Sequence, residues 1–243
     1  MREFETMAGH SKWKNIKRKK AVTDAHKAKA YTKLIKDITV AARMGGDPQH
    51  NPTLRLLLEK SRKANMPQEN ALRAIKKGTG ELPGVYYEAH QYEGYGPNGI
   101  AVIVEVLTDN KNRAIAEVRN IFSRKGGSLA ETGAVNWMFE RKGVIHGKSE
   151  NISEDALLES LLDYDISNIE KEDETVTITC ATQDLDAVKN KLQSLHVAIE
   201  DAEPAWVAKT NIDLPAGKEE QAVDFLGALE DLEDVQNVYT NLA

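Results

Sequence analysis

The residues with the plainest chemistry run from His10 to Lys20, HSKWKNIKRKK, where Lys12, Lys14, Lys17, Arg18, Lys19 and Lys20 stand without an intervening acid. Ammonium and guanidinium groups at this density neutralise phosphates and release condensed counterions, so they bind a nucleic-acid backbone without reading its sequence. His10, Ser11 and Trp13 add hydrogen-bonding groups and a ring that can stack on a base or pack over a sugar. Lys27, Lys33, Arg73, Lys76 and Lys77 extend the cationic character and complete the expected nucleic-acid-binding set. A solvated face, with Trp13 and Ile16 docked into a helical bundle, is the plainer alternative. Residues 1–80, however, hold 19 Lys and Arg against 7 Asp and Glu, well beyond the sign balance of an ordinary soluble helix surface.

The charge of the whole chain, −6, conceals this segment, which carries +12 while residues 81–243 carry −18, with 13 cations against 31 anions. Such asymmetry is the electrostatic footprint of a nucleic-acid-binding module joined to something else. Within the acidic part, the runs Glu170–Glu174 and Glu230–Asp234 are expected to form turn and solvated helix surface, their alternative being a docking face for a basic protein. Tyr92–Gly99 contains a literal G-x-G-x-x-G at Gly94, Gly96 and Gly99. It precedes a strand instead of opening a helix, and Pro97 removes a donor, so a tight loop is expected and not a dinucleotide cradle. The six histidines have no paired spacing and no cysteine partners, which argues against zinc. Cys180, the one cysteine, ends the alternating run TVTITC and reads as a buried strand residue. No catalytic residue, metal or cofactor is expected, and the chain reads as a binding protein and not an enzyme. The opening MREFETMAGH lacks an apolar signal core, and no apolar run approaches the roughly 18 residues of a membrane span. A soluble, cytoplasmic protein without a membrane partner or small-molecule substrate is expected.

The elements that must position these groups follow from periodicity. Tyr31, Leu34, Ile35, Ile38 and Ala42 form one stripe of a helix from Thr23 to Met44, closed by Gly45 and Gly46. A second helix starts at Asn51 with Pro52 in its first turn, buries Leu54, Leu57, Leu58 and Ala64, and ends before Pro67. A third carries Leu72 and Ile75 inward and ends at Gly78, giving a three-helix-type bundle over residues 1–80. Lys76–Gly84, KKGTGELPG, breaks the helical pattern and predicts a joint about which the head reorients. Beyond it, Ile100–Thr108 is a strand, Asp109 caps a helix that carries Ile115, Val118, Ile121 and Phe122 up to Gly126 and Gly127, and Ala134–Glu140 is a further strand. The order then recurs as strand, helix from Ser153, two strands near Ile166 and Thr175, helix from Thr182, and strand after Val197, the β-α-β-β-α-β order of a ferredoxin-like unit. After Pro204 come a strand, a helix behind Pro215 and a strand at Val235–Tyr239. The α+β expectation is therefore a basic helical domain followed by two ferredoxin-like α/β domains. One comprises residues 85–134 plus 205–243, and the other, 135–204, is inserted in it; the order alone also permits a tandem arrangement.

AGHSKWKNIKRKK at Ala8–Lys20, YTKLIKDITVAARMGG at Tyr31–Gly46, ANMPQENALRAIKKGTG at Ala64–Gly80 and YEGYGPNGIAVIVEVLTDNKNRA at Tyr92–Ala114 closely resemble the YebC/PmpR family, with the similarity extending from Met7 onward. The resemblance implies an N-terminal helical domain and two ferredoxin-like domains, one inserted in the other. It also implies a DNA-binding transcriptional regulator of bacteria, with a related mitochondrial protein that activates translation of cytochrome c oxidase subunit I. It supplies no catalytic residue. The expectation is a nucleic-acid-binding regulator of gene expression, foremost a DNA-binding transcriptional regulator. A ribosome- or mRNA-associated translation factor is the alternative, with the acidic domains meeting basic ribosomal or other proteins. A protein adaptor working through the acidic domains is the second alternative.

Overall fold

A computed structural model describes residues 24–243. Three helices form the head: α1 (Asp24–Ala42), α2 (Pro52–Lys63) and α3 (Gln68–Gly78). Asn51 caps α2, its side-chain oxygen accepting the Leu54 N–H at 3.0 Å, while its amide donates to the carbonyls of Ala41 and Gly45 and so ties α2 to the end of α1. Ile38, Ala41, Leu54, Met66, Ala71 and Ala74 form the head's core. Leu72, expected inside, is 49% exposed, and Ala71 and Ala74 lie inward instead. The reason is proximity. A Cβ on Gly78 would fall 2.3 Å from the Thr39 carbonyl oxygen, and two backbones this close admit only small residues between them.

The rest of the chain forms two four-stranded antiparallel sheets. The first, ordered β3-β1-β2-β8, uses β1 (Glu88–Tyr95), β2 (Ala101–Thr108), β3 (Ser128–Ala130) and β8 (Val235–Thr240). α4 (Lys111–Arg124) and α7 (Ala216–Glu230) cover one face, with Phe122 and Phe225 edge to face at 5.0 Å. The second sheet, ordered β5-β6-β4-β7, is built from β4 (Phe139–Lys148), β5 (Ile166–Glu172), β6 (Thr175–Cys180) and β7 (Ala198–Ala208), and is covered by α5 (Glu154–Ser160) and α6 (Leu185–Ser194). Its strand order is that of the ferredoxin-like unit. The first sheet has the same split β-α-β layout, but its inserted strand is β1, which precedes the pair it separates. The uncovered faces of the two sheets pack together through Ala101, Ile103 and Tyr239 against Phe139, Val144, Ala205 and Val207. β2 is thus covered on both sides, which accounts for its nearly unbroken apolar run.

Several boundaries differ from the sequence expectations. Asn110, not Asp109, caps α4 by accepting the Arg113 N–H at 3.1 Å. Asn136–Met138 form a single 3-10 turn, and the strand starts at Phe139. β7 runs through Pro204 and pairs with β4 as far as Phe139↔Ala208, so the expected domain boundary at 204/205 falls inside a strand. Proline is admissible there because β7 is an edge strand. Half of the expected Tyr92–Gly99 loop is strand β1, and its glycines serve packing. A Cβ on Gly94 would meet Phe122 and the Ser128 carbonyl oxygen at 2.5 Å each.

Candidate nucleic-acid interface

The helical period decides which cations remain outside. Lys29, Lys33 and Lys36, at i, i+4 and i+7 on α1, all face the end of α7. Lys29 Nζ is 2.7 Å from Asp231, Lys33 Nζ 3.3 Å from Glu230 and Lys36 Nζ 2.6 Å from Asp234. The last pair is buried, and Asp234 also accepts hydrogen bonds from Thr108 Oγ1 and Arg113 Nη2, each at 2.8 Å. Burial works against the Asp234 carboxylate, but Lys36, Arg113 and Thr108 outweigh it and hold its pKa below the usual value. On α2, Lys60 lies 3.1 Å from Asp201 and 2.9 Å from Glu203 of β7, and Lys63 donates to the Ile199 carbonyl at 3.2 Å. Burial opposes the Lys60 ammonium, yet Glu203 and Asp201 more than compensate and raise its pKa. Arg43 stacks 4.0 Å over Tyr86 and donates to the Tyr87 carbonyl at 3.0 Å.

These contacts correct two expectations. The acidic run Glu230–Asp234 is neither idle surface nor a site for a foreign basic protein, because the chain's own α1 docks on it. The joint after Lys76 does not leave the head free, since ion pairs on α1 and α2 and the Arg43 contacts with Tyr86 and Tyr87, just past the joint, hold it. Asp37 sits within the same interface with its pKa pushed up to about 6, chiefly by burial and further by Glu203 and Glu105, against the opposing pull of Lys60 and Lys33.

Of the expected contact residues, His10, Ser11, Lys12, Trp13, Lys14, Lys17, Arg18, Lys19 and Lys20 lie outside the described residues. Lys27 is exposed on α1. Lys33 is corrected: it is half-buried against Glu230 and the Gln236 carbonyl, because its helical phase matches Lys29 and Lys36. Arg73, Lys76 and Lys77 are exposed on α3, with Arg73 held 3.0 Å from Glu69 one turn back. α3 thus presents Gln68, Arg73 and Lys76 along one outer face. α2 adds the exposed Arg55 and Arg62, which line a shallow groove with Pro48, Gln49, Leu58 and Glu59. The sequence presents Arg55 and Arg62 outward on α2 together with Lys60 and Lys63; only the structure shows that the last two turn to β7.

A cationic helical head clamped onto an acidic body of two interlocked sheets defines a three-part α+β protein. The chain belongs to the TACO1/YebC family: the model of the TACO1/YebC protein N-terminal domain matches residues 11–81, and that of the TACO1/YebC second and third domain matches residues 87–242. It is 48% identical over 238 residues to a "Probable transcriptional regulatory protein" of Chlorobaculum parvum, covering 97% of this chain and 95% of that one. A protein of the same name from Desulfosudis oleivorans is 47% identical over 236 residues, covering 97% of this chain and 96% of the relative. A crystal structure of a conserved hypothetical protein from Aquifex aeolicus superposes with a TM-score of 0.81 at 41% identity, over 90% of this chain and 91% of that one.

Proposed function

We propose that this chain is a nucleic-acid-binding regulator of gene expression that acts in the cytoplasm by binding and not by catalysis. The carrying observation is the division of cations in the head. Lys29, Lys33, Lys36 and Lys60 are consumed in docking to the body, whereas Arg55, Arg62, Lys76 and Lys77 are exposed and continue the basic run Lys12–Lys20 in the sequence. The groups with shifted pKa values support binding over catalysis, since Asp37, Lys60 and Asp234 serve the docking interface and Cys180 is a buried strand residue whose thiol burial pushes up to about 11.

DNA is the first target. The four residues Ala64–Pro67 join α2 to α3, with Asn65 in the left-handed region at φ 57°, the length of a helix-turn-helix joint. The outer face of α3 carries Gln68, Arg73 and Lys76, residue types that read base edges in a major groove. The names of the relatives agree with transcription. RNA is the second reading, favoured by a pair of exposed aromatic side chains on the body described below.

Crosslinking the full chain in cells and sequencing the attached nucleic acid tests this reading: promoter DNA supports the first target, ribosomal or messenger RNA the second, and no enrichment sinks both. In vitro, affinity falls with salt at a log–log slope of about −0.9 per phosphate neutralised on duplex DNA and about −0.7 on single strands. Replacing Lys17, Arg18, Lys19, Lys20, Lys76 and Lys77 with Ala flattens that slope. An unchanged slope would move the contact surface elsewhere.

A further inference from the structure

A second surface lies at the far end of the body. The segment between β3 and β4, Glu131–Met138, is folded around the carboxylate of Glu93, a buried residue of β1. Glu93 accepts backbone N–H bonds from Gly133 at 2.9 Å, Val135 at 3.0 Å and Asn136 at 2.8 Å. Burial disfavours this carboxylate, but the three N–H donors outweigh it and keep it ionised below the usual pKa. A loop gripped this way is rigid, and it presents Trp137 67% exposed. The indole is itself held: its N–H donates to the Ala134 carbonyl at 3.0 Å, and the Tyr95 hydroxyl donates to the same oxygen at 3.3 Å, with Tyr95 38% exposed. One carbonyl therefore anchors the polar ends of both aromatic side chains, Trp137 largely and Tyr95 partly in solvent. Lys209, at the end of β7, fixes the other side, its backbone N–H donating to the Met138 carbonyl and its Nζ to the Trp137 carbonyl, each at 2.9 Å.

Packing does not require this arrangement. An indole left two-thirds in solvent forgoes most of the hydrophobic stabilisation it could have, and ordering it costs side-chain entropy. What it provides is a fixed π-surface beside an ammonium group, the combination that stacks unpaired bases and holds the phosphate between them. Glu140, the acid just after the loop, is paired with Lys142 at 3.7 Å.

We propose that Trp137 and Tyr95, with Lys209, form a stacking site for the unpaired bases of single-stranded RNA. The inference rests on the nucleic-acid reading above and, for this site alone, takes its second target, RNA, because unpaired bases are the normal state of RNA loops, whereas cellular DNA keeps its bases paired. The site is separate from the head. Lys63 docks at Ile199 near the start of β7 and Lys209 follows its end, roughly 30 Å further along the strand at about 3.3 Å per residue.

The test uses the full chain with Trp13→Phe and Trp206→Phe, which leaves Trp137 as its one indole. Titration with an oligouridylate of about 16 nucleotides, the upper end of common single-strand site sizes, should quench Trp137 emission in step with binding. A duplex of the same length should bind without that quench. In the natural background, Trp137→Ala should weaken single-strand binding roughly 5- to 150-fold, from stacking of about 1–3 kcal/mol per base, while Trp137→Phe should retain most of the affinity. Lys76→Ala with Lys77→Ala should lower affinity but leave the quench at saturation unchanged. A photo-crosslinking residue in place of Trp137 should give nuclease-sensitive adducts in cells. Saturable RNA binding with unmoved Trp137 emission, or a nuclease-resistant protein adduct, would overturn this site and leave the nucleic-acid reading standing. Absence of binding to any RNA or DNA would overturn both.

Discussion

At the scale of single residues, the interface between head and body is governed by two carboxylates, the buried Asp234 and the half-buried Asp37, tuned in opposite directions. Asp234 is held ionised by Lys36, Arg113 and Thr108, so replacing it with Asn leaves the Lys36 ammonium buried against the Leu107 and Glu233 carbonyls without its paired carboxylate. Loss of one member of a buried ion pair costs about 3–5 kcal/mol, and denaturant unfolding of Asp234→Asn should show a decrease of that order. Asp37 is the reverse case. Its folded pKa of about 6 lies above the ordinary aspartate value of 3.8, so between those values the folded chain keeps a proton that the unfolded chain releases. Stability from this group is complete below about pH 4, falls as pH rises towards 6, and is absent above it. Asp37→Asn should therefore raise the unfolding free energy near neutral pH, by about 1–2 kcal/mol out of a ceiling near 3, and change nothing below pH 4. Urea unfolding across that range checks the sign, and a variant less stable at neutral pH would refute it. Asp234 and Glu93, whose pKa values are lowered, act oppositely. Their stabilisation is present above the unfolded carboxylate range and is lost as pH falls, so Asp37→Asn should still lose stability in acid.

At the scale of elements, sequence reading succeeds where one face dominates and fails where two surfaces meet. α1, α2, β2 and β6 are legible because their apolar period or apolar run matches a single geometry. β1 was hidden because EAHQYEGY is polar and contains a glycine, its strand state coming from pairing along all eight residues with β2. Pro204 read as punctuation because nothing local reveals that β7 is an edge. Leu72 read as core because hydrophobicity does not show that α1 and α3 approach too closely for it. Gly94 makes the same point testable. Its absent side chain admits the Phe122 ring from one side and the Ser128 carbonyl from the other, and the carbonyl belongs to a strand that cannot retreat without losing its pairing to β1. Gly94→Ala should thus cost at least the 1–3 kcal/mol typical of overpacking, measurable as a lowered unfolding midpoint. A midpoint equal to that of the natural chain would show that β3 yields without cost.

At the scale of the whole molecule, the opposite charges of head and body were legible, but the partners were not, since Lys36 and Asp234 lie 198 positions apart in the chain. The net charges alone suggest that the body competes with nucleic acid for every head cation. The structure divides them instead: Lys29, Lys33, Lys36 and Lys60 face the body, and Arg55, Arg62, Lys76 and Lys77 do not. Under the function proposed above, docking and nucleic-acid binding would proceed together, with the body limiting affinity only by withholding the α1 stripe. Salt separates the contributions. The exposed Lys29–Asp231 pair is worth about 0–1 kcal/mol and is screened, whereas the buried Lys36–Asp234 pair is shielded from added ions. Small-angle scattering of the natural chain should accordingly give one compact profile from low salt to about 1 M, where the screening length is about 3 Å. Asp234→Asn should loosen the clamp, so that the profile expands as salt rises. In low salt the same variant should bind non-specific nucleic acid more tightly and with a steeper salt slope, because Lys29, Lys33 and Lys36 become able to neutralise additional phosphates. If Asp234→Asn keeps the natural profile at high salt, the clamp does not depend on this pair. If it expands but gains no affinity, the α1 stripe is not a phosphate surface even when released, and regulation by docking is ruled out.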